Sequence, residues 1–191
     1  MVKKVGFGII GTGFWGKNHA RVLSEIENAR LLAVCDIDPM RAEGIGRKYG
    51  VDWYSRDEDL LKRDDIEAVC ICTPTVTHAE IAVKAINYGK HLLIEKPMAN
   101  TAAQARNLLE ETEKCRVHLM TGFIERFNAG LQGMKNIIEN GELGQIVLAL
   151  SRRVGKWPER IGDIGVIKDS AIHDLDIMRF LFEEEPLTVY A

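Results

Sequence analysis

No apolar run in this sequence approaches the roughly 18 residues that a membrane-spanning helix requires, which argues against an integral helical membrane protein. Neither sign of charge is in excess: 28 acidic and 25 basic residues give a formal charge of −3 and are mixed along the chain. That balance leaves no electrostatic footprint for nucleic acid and no basic face for a lipid surface. Cysteine is scarce. The four residues Cys35, Cys70, Cys72 and Cys115 show neither CxxC spacing nor a His-rich partner segment, which argues against a zinc site or any other bound metal. They are expected to be reduced core residues, because free cysteine in an apolar strand packs as a small hydrophobe. The start, Met1-Val2-Lys3-Lys4, runs into a strand-like segment without an apolar signal stretch, so a cytoplasmic protein is expected. Internal repeats and low-complexity segments are absent as well.

What remains is the composition of a globular chain: 191 residues, 46% apolar and 28% charged. Strand-like and helix-like segments alternate from the start. Val5–Ile10, Leu31–Val34, Ala68–Cys72, His91–Ile94 and Val117–Thr121 read as strands. Phe14–Leu23, a segment opened by Pro39, Ala79–Tyr88 and Ala102–Glu113 read as helices, with Gly89 placed as a C-terminal cap. Repeated βα units with near-continuous apolar strands predict an α/β fold, a doubly wound parallel sheet covered on both faces. The pattern changes after about residue 122, so residues 1–122 are expected to form one domain and 123–191 part of a second, α+β domain. There Leu131–Asn140 and Ile172–Phe182 read as helices, Gln145–Val154 as a longer strand, and Leu187–Tyr190 as the opening of another. A strand beginning at the last residues predicts a second sheet cut short. Natural truncation, a gene fragment, or a partner chain that completes the sheet would each account for it.

Gly11-Thr12-Gly13-Phe14-Trp15-Gly16 follows a strand-like run and opens a helix-like one. In that context the first glycine permits a tight turn, the second lets a pyrophosphate approach the backbone, and the third lets helix and strand pack closely. The helix N-terminus offers its unpaired N–H groups to the phosphates. Asp36 ends the second strand 36 − 16 = 20 residues past the last glycine, where a ribose-binding acid belongs. A carboxylate there accepts from the ribose hydroxyls and repels a 2′-phosphate, which favours NAD over NADP; Arg41, close by, could receive that phosphate instead. The alternative is a plain glycine turn beside an acidic strand end.

Glu95, Lys96 and Pro97 stand at a strand's carboxyl end, where ligands sit in doubly wound sheets. Lys96 can point toward a nicotinamide there, or be an ordinary exposed lysine in an exit loop. Asp169 and His173 are four residues apart; on a helix they share one face, and a carboxylate beside an imidazole suits acid–base work near neutral pH. A polar helix start with a capping aspartate is the other reading.

Taken together, Gly11/Gly13/Gly16, Thr73-Pro74, His78, Glu95-Lys96-Pro97 and Asp169-x3-His173 resemble the Gfo/Idh/MocA family, named for glucose–fructose oxidoreductase and inositol dehydrogenase. The resemblance covers essentially the whole chain. It implies that Lys96, Asp169 and His173 form the catalytic set and that Thr73, Pro74 and Glu95 frame the nicotinamide side of the cofactor. His78 falls with them, and with Thr12, Phe14 and Trp15, on the cofactor side, and a cis Lys96-Pro97 peptide is implied. The chemistry implied is oxidation of a secondary alcohol with hydride passing to NAD, with His173 as base, Asp169 orienting it, and Lys96 on the reacting oxygen.

Arg152, Arg153 and Arg160, with Arg126 and Asn128 upstream, suit a substrate carrying phosphates, since a guanidinium fork binds two oxygens at once. This stretch resembles the branch acting on nucleotide-activated amino sugars, the UDP-N-acetylglucosamine 3-dehydrogenases. Arg126, Asn128, Arg153 and Arg160 are therefore expected to bind substrate alongside Lys96, Asp169 and His173. An inositol or free-sugar dehydrogenase is the alternative, as is an NAD-binding protein without turnover. The resemblance also implies a homo-oligomer.

Overall fold

The computed structural model describes residues 3–155 and 165–190. Trp157 and Arg160 lie outside the described residues. The chain divides into two compact units, Met1–Gly122 and Phe123–Ala191.

In the first unit, six strands form one sheet: β1 (Val5–Ile10), β2 (Ala29–Cys35), β3 (Asp52–Tyr54), β4 (Ala68–Ile71), β5 (His91–Ile94) and β6 (Leu119–Thr121). Every pairing is parallel, in the order β3-β2-β1-β4-β5-β6. The connecting helices are α1 (Phe14–Glu25), α2 (Pro39–Tyr49), α3 (Asp57–Leu61), α4 (Thr75–Asn87) and α5 (Ala102–Cys115). This is the doubly wound sheet that the alternating pattern predicts. Strand side chains alternate between its faces. Ile9, Val34 and Cys70 pack on one side with Ala20, Leu23 and Ile45; Ile10, Cys35, Val69 and Ile71 pack on the other with Leu60, Ile86 and Leu108. Each such aliphatic side chain contributes about 1.5–3 kcal/mol on burial.

Helix ends follow local chemistry. Asp38 accepts from the backbone N–H groups of Met40 and Arg41 to cap α2 at Pro39, and Thr101 with Gln104 forms a capping box on α5. The winding reverses between β1 and β4. At such a switch point the strand ends part and leave a crevice beyond their carboxyl ends.

The second unit has a 3-10 turn at Ile124–Phe127, α6 (Ala129–Glu139), a π-helical turn at Ile167–Ala171 and α7 (Ile172–Phe182). Asn128 caps α6, accepting from the Gly130 N–H at 2.9 Å. Lys135 of α6 donates to the Phe180 carbonyl at 2.9 Å and to Glu183 at 2.6 Å, which ties α6 to the end of α7.

Three expectations are corrected. Gln145–Val154 forms no strand, and Val147, Leu148 and Leu150 are exposed. Leu187–Tyr190 forms none either. A strand exists only through ladder hydrogen bonds, and no partner strand pairs with either segment among the described residues. Finally, Cys115 is exposed at the end of α5 rather than in the core, and Cys72 lies just past β4, half-buried. Burial pushes the thiols of Cys35 and Cys70 up to about 12, so both are inert as nucleophiles. Among the described residues, no helix is long and apolar enough to cross a membrane.

Candidate functional site

The glycine loop leaves β1 and turns into α1. Gly11 has φ +92°, and a Cβ there would stand 2.7–2.8 Å from the Cys72 and Thr73 backbone, so only glycine fits. A Cβ on Gly16 would run into the Gly11 carbonyl oxygen. Gly13 differs: nothing lies within 4 Å of where its Cβ would be, so the space beside it is open. Gly13 is the N-cap of α1 and has no side chain of its own to cap the helix start. The geometry fits a phosphate group set against backbone N–H groups.

Thr12 is fully buried between them. Its backbone N–H and Oγ1 both donate to Oδ2 of Asp36, at 2.7 and 2.9 Å. The Asp38 N–H donates to Oδ1 of Asp36 at 3.0 Å. Three of the carboxylate's roughly four acceptor positions are thus occupied from within the protein. Arg41 is paired with Asp38 at 3.2 Å, which offsets its charge near Asp36. Ile37 and Met40, one and four residues past Asp36, carry no signal in the sequence and are 94% and 79% exposed. Such exposure of large apolar side chains shortly after Asp36 is a signal only the structure carries. Phe14, also exposed, meets Trp15 edge-on at 5.3 Å.

On the other side of the switch point, β4 is followed by Cys72-Thr73-Pro74 and β5 by Glu95-Lys96-Pro97. Thr77 Oγ1 donates to the Pro74 carbonyl at 2.8 Å and lies 2.8 Å from Thr73 Oγ1, which can donate to it. His78 is 1% exposed, with Nδ1 2.9 Å from the Pro97 carbonyl and Nε2 2.8 Å from the Thr73 carbonyl. Glu95 is buried, and its Oε1 lies 2.7 Å from Nε2 of His19 on α1. Lys96 is half-buried and the Lys96-Pro97 peptide is cis. His19 was absent from the sequence reading, because its partner is 76 residues away and one histidine on an amphipathic helix carries no local signal.

In the second unit, Asp169 is buried within the π-helical turn and accepts from Ser170 Oγ at 3.1 Å. His173 is half-buried in the first turn of α7, edge-on to Phe123 at 6.5 Å. The two therefore straddle a π-to-α junction, where the simple i,i+4 geometry of an α-helix does not hold. Arg126 spans the carboxylate of Asp176, with Nε and Nη2 donating at 2.8 and 2.6 Å; Asp176 is 3% exposed. Arg153 donates to Asp174 at 3.0 and 3.3 Å and lies 3.7 Å from Glu125. Burial alone would raise the Asp174 carboxyl, but the Arg153 and Ser151 hydrogen bonds outweigh it and hold the group below the usual carboxylate range. Asn128 serves as the α6 cap.

The order of the sheet, the glycine turn and the acid at the end of β2 define a Rossmann dinucleotide-binding domain. Residues 5–123 match the oxidoreductase family with an NAD-binding Rossmann fold, Gfo/Idh/MocA, and residues 131–191 match the Gfo/Idh/MocA C-terminal domain. The chain belongs to the Gfo/Idh/MocA family. It is 37% identical to the inositol 2-dehydrogenase of Rhizobium meliloti (strain 1021), over 98% of this chain and 58% of that protein. Identity to the myo-inositol 2-dehydrogenase of Thermotoga maritima is 34%, over 96% of this chain and 57% of that one. A solved structure of scyllo-inositol dehydrogenase from Lactobacillus casei, with bound NAD(H) and scyllo-inositol, superposes with a TM-score of 0.83 at 25% identity, covering 96% of this chain and 57% of that one. The chain thus spans somewhat more than half the length of the curated relatives it matches.

Proposed function

We propose that this chain carries the NAD site and the acid–base residues of a polyol dehydrogenase of the inositol type. The observation that carries the reading is what stands around the switch point between β1 and β4. A glycine turn open at Gly13 and an acid at Asp36 lie on one side of it, and Lys96 at the end of β5 lies on the other. Likeness to inositol dehydrogenases along nearly the whole chain supports the substrate class.

The α1 N-terminus and the loop N–H groups would receive the pyrophosphate, Asp36 the ribose, and the exposed Ile37 and Met40 the flat apolar adenine. Bound NAD supplies the hydride acceptor. Lys96 would donate a hydrogen bond to the reacting hydroxyl oxygen, and His173 would take its proton, with Asp169 setting the imidazole's orientation. General acid–base help of this kind accounts for about 10²–10⁴-fold in rate.

An uncharged polyol suits the charge balance better than a nucleotide sugar. Arg126 is matched by Asp176 and Arg153 by Asp174, so neither guanidinium is left over to neutralise a diphosphate. The UDP-N-acetylglucosamine reading rests on Arg152 and Arg160 once those two are committed. Comparing kcat/KM for myo-inositol and UDP-N-acetylglucosamine with NAD decides between them. A preference for the polyol is expected; a preference for the nucleotide sugar reverses the assignment.

A further inference from the structure

We infer that two histidines remote in sequence, His19 and His78, are positioning residues that hold Lys96 from both sides. The inference rests on the role proposed above for Lys96 and adds what aims it. Lys96 sits between two anchored neighbours. Its predecessor Glu95 is gripped by His19 at 2.7 Å, and its successor Pro97 presents its carbonyl to His78 Nδ1 at 2.9 Å. The grips come from different helices, His19 from α1 and His78 from α4.

Neither contact is a casual surface pairing. The side chains of His19 and Glu95 are 17% and 8% exposed, and His78 is 1% exposed. Gly122 leaves room for the Glu95 carboxylate, since a Cβ there would stand 3.3 Å from its Oε2. The Glu95 backbone N–H donates to the Ile71 carbonyl at 3.0 Å, fixing the end of β5 against β4. Carboxylate Oε1 can only accept, so His19 donates through Nε2. Nε2 of His78 lies 2.8 Å from the Thr73 carbonyl. This carbonyl and that of Pro97 only accept, so a neutral imidazole donates to one of them and an imidazolium to both. In either form the ring sits between the Lys96-Pro97 and Thr73-Pro74 turns.

The consequence is mechanical. The helix that starts at the glycine loop and the helix that starts at Thr75 both reach the one turn carrying Lys96. A lysine has four rotatable bonds on a flexible stem, so its ammonium stays aimed only if its backbone is held. His19 and His78 supply that hold through Glu95 and the Pro97 carbonyl, on either side of Lys96.

The test uses the full chain and the variants His19→Leu and His78→Leu. Two further variants keep one donor at the matching place: His19→Gln, for the Nε2 contact to Glu95, and His78→Asn, for the Nδ1 contact to Pro97. Three quantities are read: NAD affinity by calorimetry, kcat and KM with NAD and myo-inositol, and acetylation of Lys96 by acetic anhydride with and without saturating NAD. Acetylation is quantified by mass spectrometry against exposed Lys62. Because small misplacements of a positioned group are costly, the leucine variants should lose about tenfold or more in kcat while KM and NAD affinity stay within about threefold. NAD should shield Lys96 from acetylation in the parent chain, lose that shielding in the leucine variants, and regain it in His19→Gln and His78→Asn. Parent-like kcat and shielding in the leucine variants overturn the inference, as does a loss of NAD affinity that matches the loss in kcat. A parent chain that ignores myo-inositol yet shows NAD-shielded Lys96 sinks the polyol reading alone, and the shielding pattern then decides the role of the histidines. If NAD does not shield Lys96 in the parent chain, the positioning role is refuted.

Discussion

Thr12→Val isolates the hydroxyl that links the glycine loop to Asp36, the acid proposed to receive the ribose. Valine keeps the shape of threonine and changes one polar atom for a methyl group. Thr12 is fully buried, and its Oγ1 donates to Asp36 Oδ2 at 2.9 Å, alongside the backbone N–H of the same residue at 2.7 Å. A hydrogen bond to a charged group contributes about 1.5–3 kcal/mol, and the neighbouring N–H still serves Oδ2, so a loss of about 1.5–2 kcal/mol is expected. For a chain of this length that is a fall of about 3–8 °C in Tm. Urea unfolding of the apo chain, followed by circular dichroism, reads the free energy directly. NAD affinity should fall as well, because the carboxylate is no longer held toward the ribose. A stability change below about 0.5 kcal/mol, which is the scatter of ordinary surface substitutions, would refute the claim that Thr12 and Asp36 form a buried latch.

Other outcomes follow from the same geometry. Gly16→Ala forces a methyl group into the Gly11 carbonyl and should cost at least about 1–3 kcal/mol, read by thermal unfolding. Gly13→Ala meets only open space, so it should leave stability within about 0.5 kcal/mol while weakening NAD binding in calorimetry. Arg126→Met strands the buried Asp176 carboxylate; since the arginine side chain is 40% exposed, the loss should fall at or below the lower end of the buried-pair range, about 2–3 kcal/mol. The Asp174 carboxyl is held below its ordinary value in the folded state. It therefore stabilises the fold above the unfolded value and loses that contribution as pH falls through the depressed one. Arg153→Met should therefore lower stability most above about pH 4, with the gap to the parent chain closing as pH falls further, visible in paired acid titrations of the two chains.

The parallel sheet could be read from sequence because its strands are short apolar runs bounded by turn residues, and buried strands lack the alternation that a half-exposed sheet needs. β3 escaped notice for the same physical reason in reverse. Asp52–Tyr54 is three residues long and mostly exposed, so no hydrophobic pattern marks it. Gln145–Val154 carries the pattern of a strand, yet pattern supplies only propensity, and a ladder requires a partner. Asp169 and His173 were legible as a four-residue spacing, but the π-helical turn between the flanking segments and α7 leaves no mark in residue types. Arg126 and Arg153 illustrate the limit for charged groups. Sequence shows the cation, and only the fold shows that Asp176 and Asp174 already hold it. His19 belongs with them, since its role depends on Glu95, which the sheet brings alongside α1.

The central claim is hydride transfer from a polyol carbon to the cofactor held over the switch point. Its most direct test is to incubate the chain with NAD and myo-inositol deuterated at its carbinol carbons, and to weigh the nicotinamide product by mass spectrometry. The account predicts reduced cofactor carrying one deuterium, lost when Lys96 is replaced by Met or His173 by Leu. Tight NAD binding with no deuterium transferred would contradict it and leave a dinucleotide-binding chain that performs no oxidation by itself.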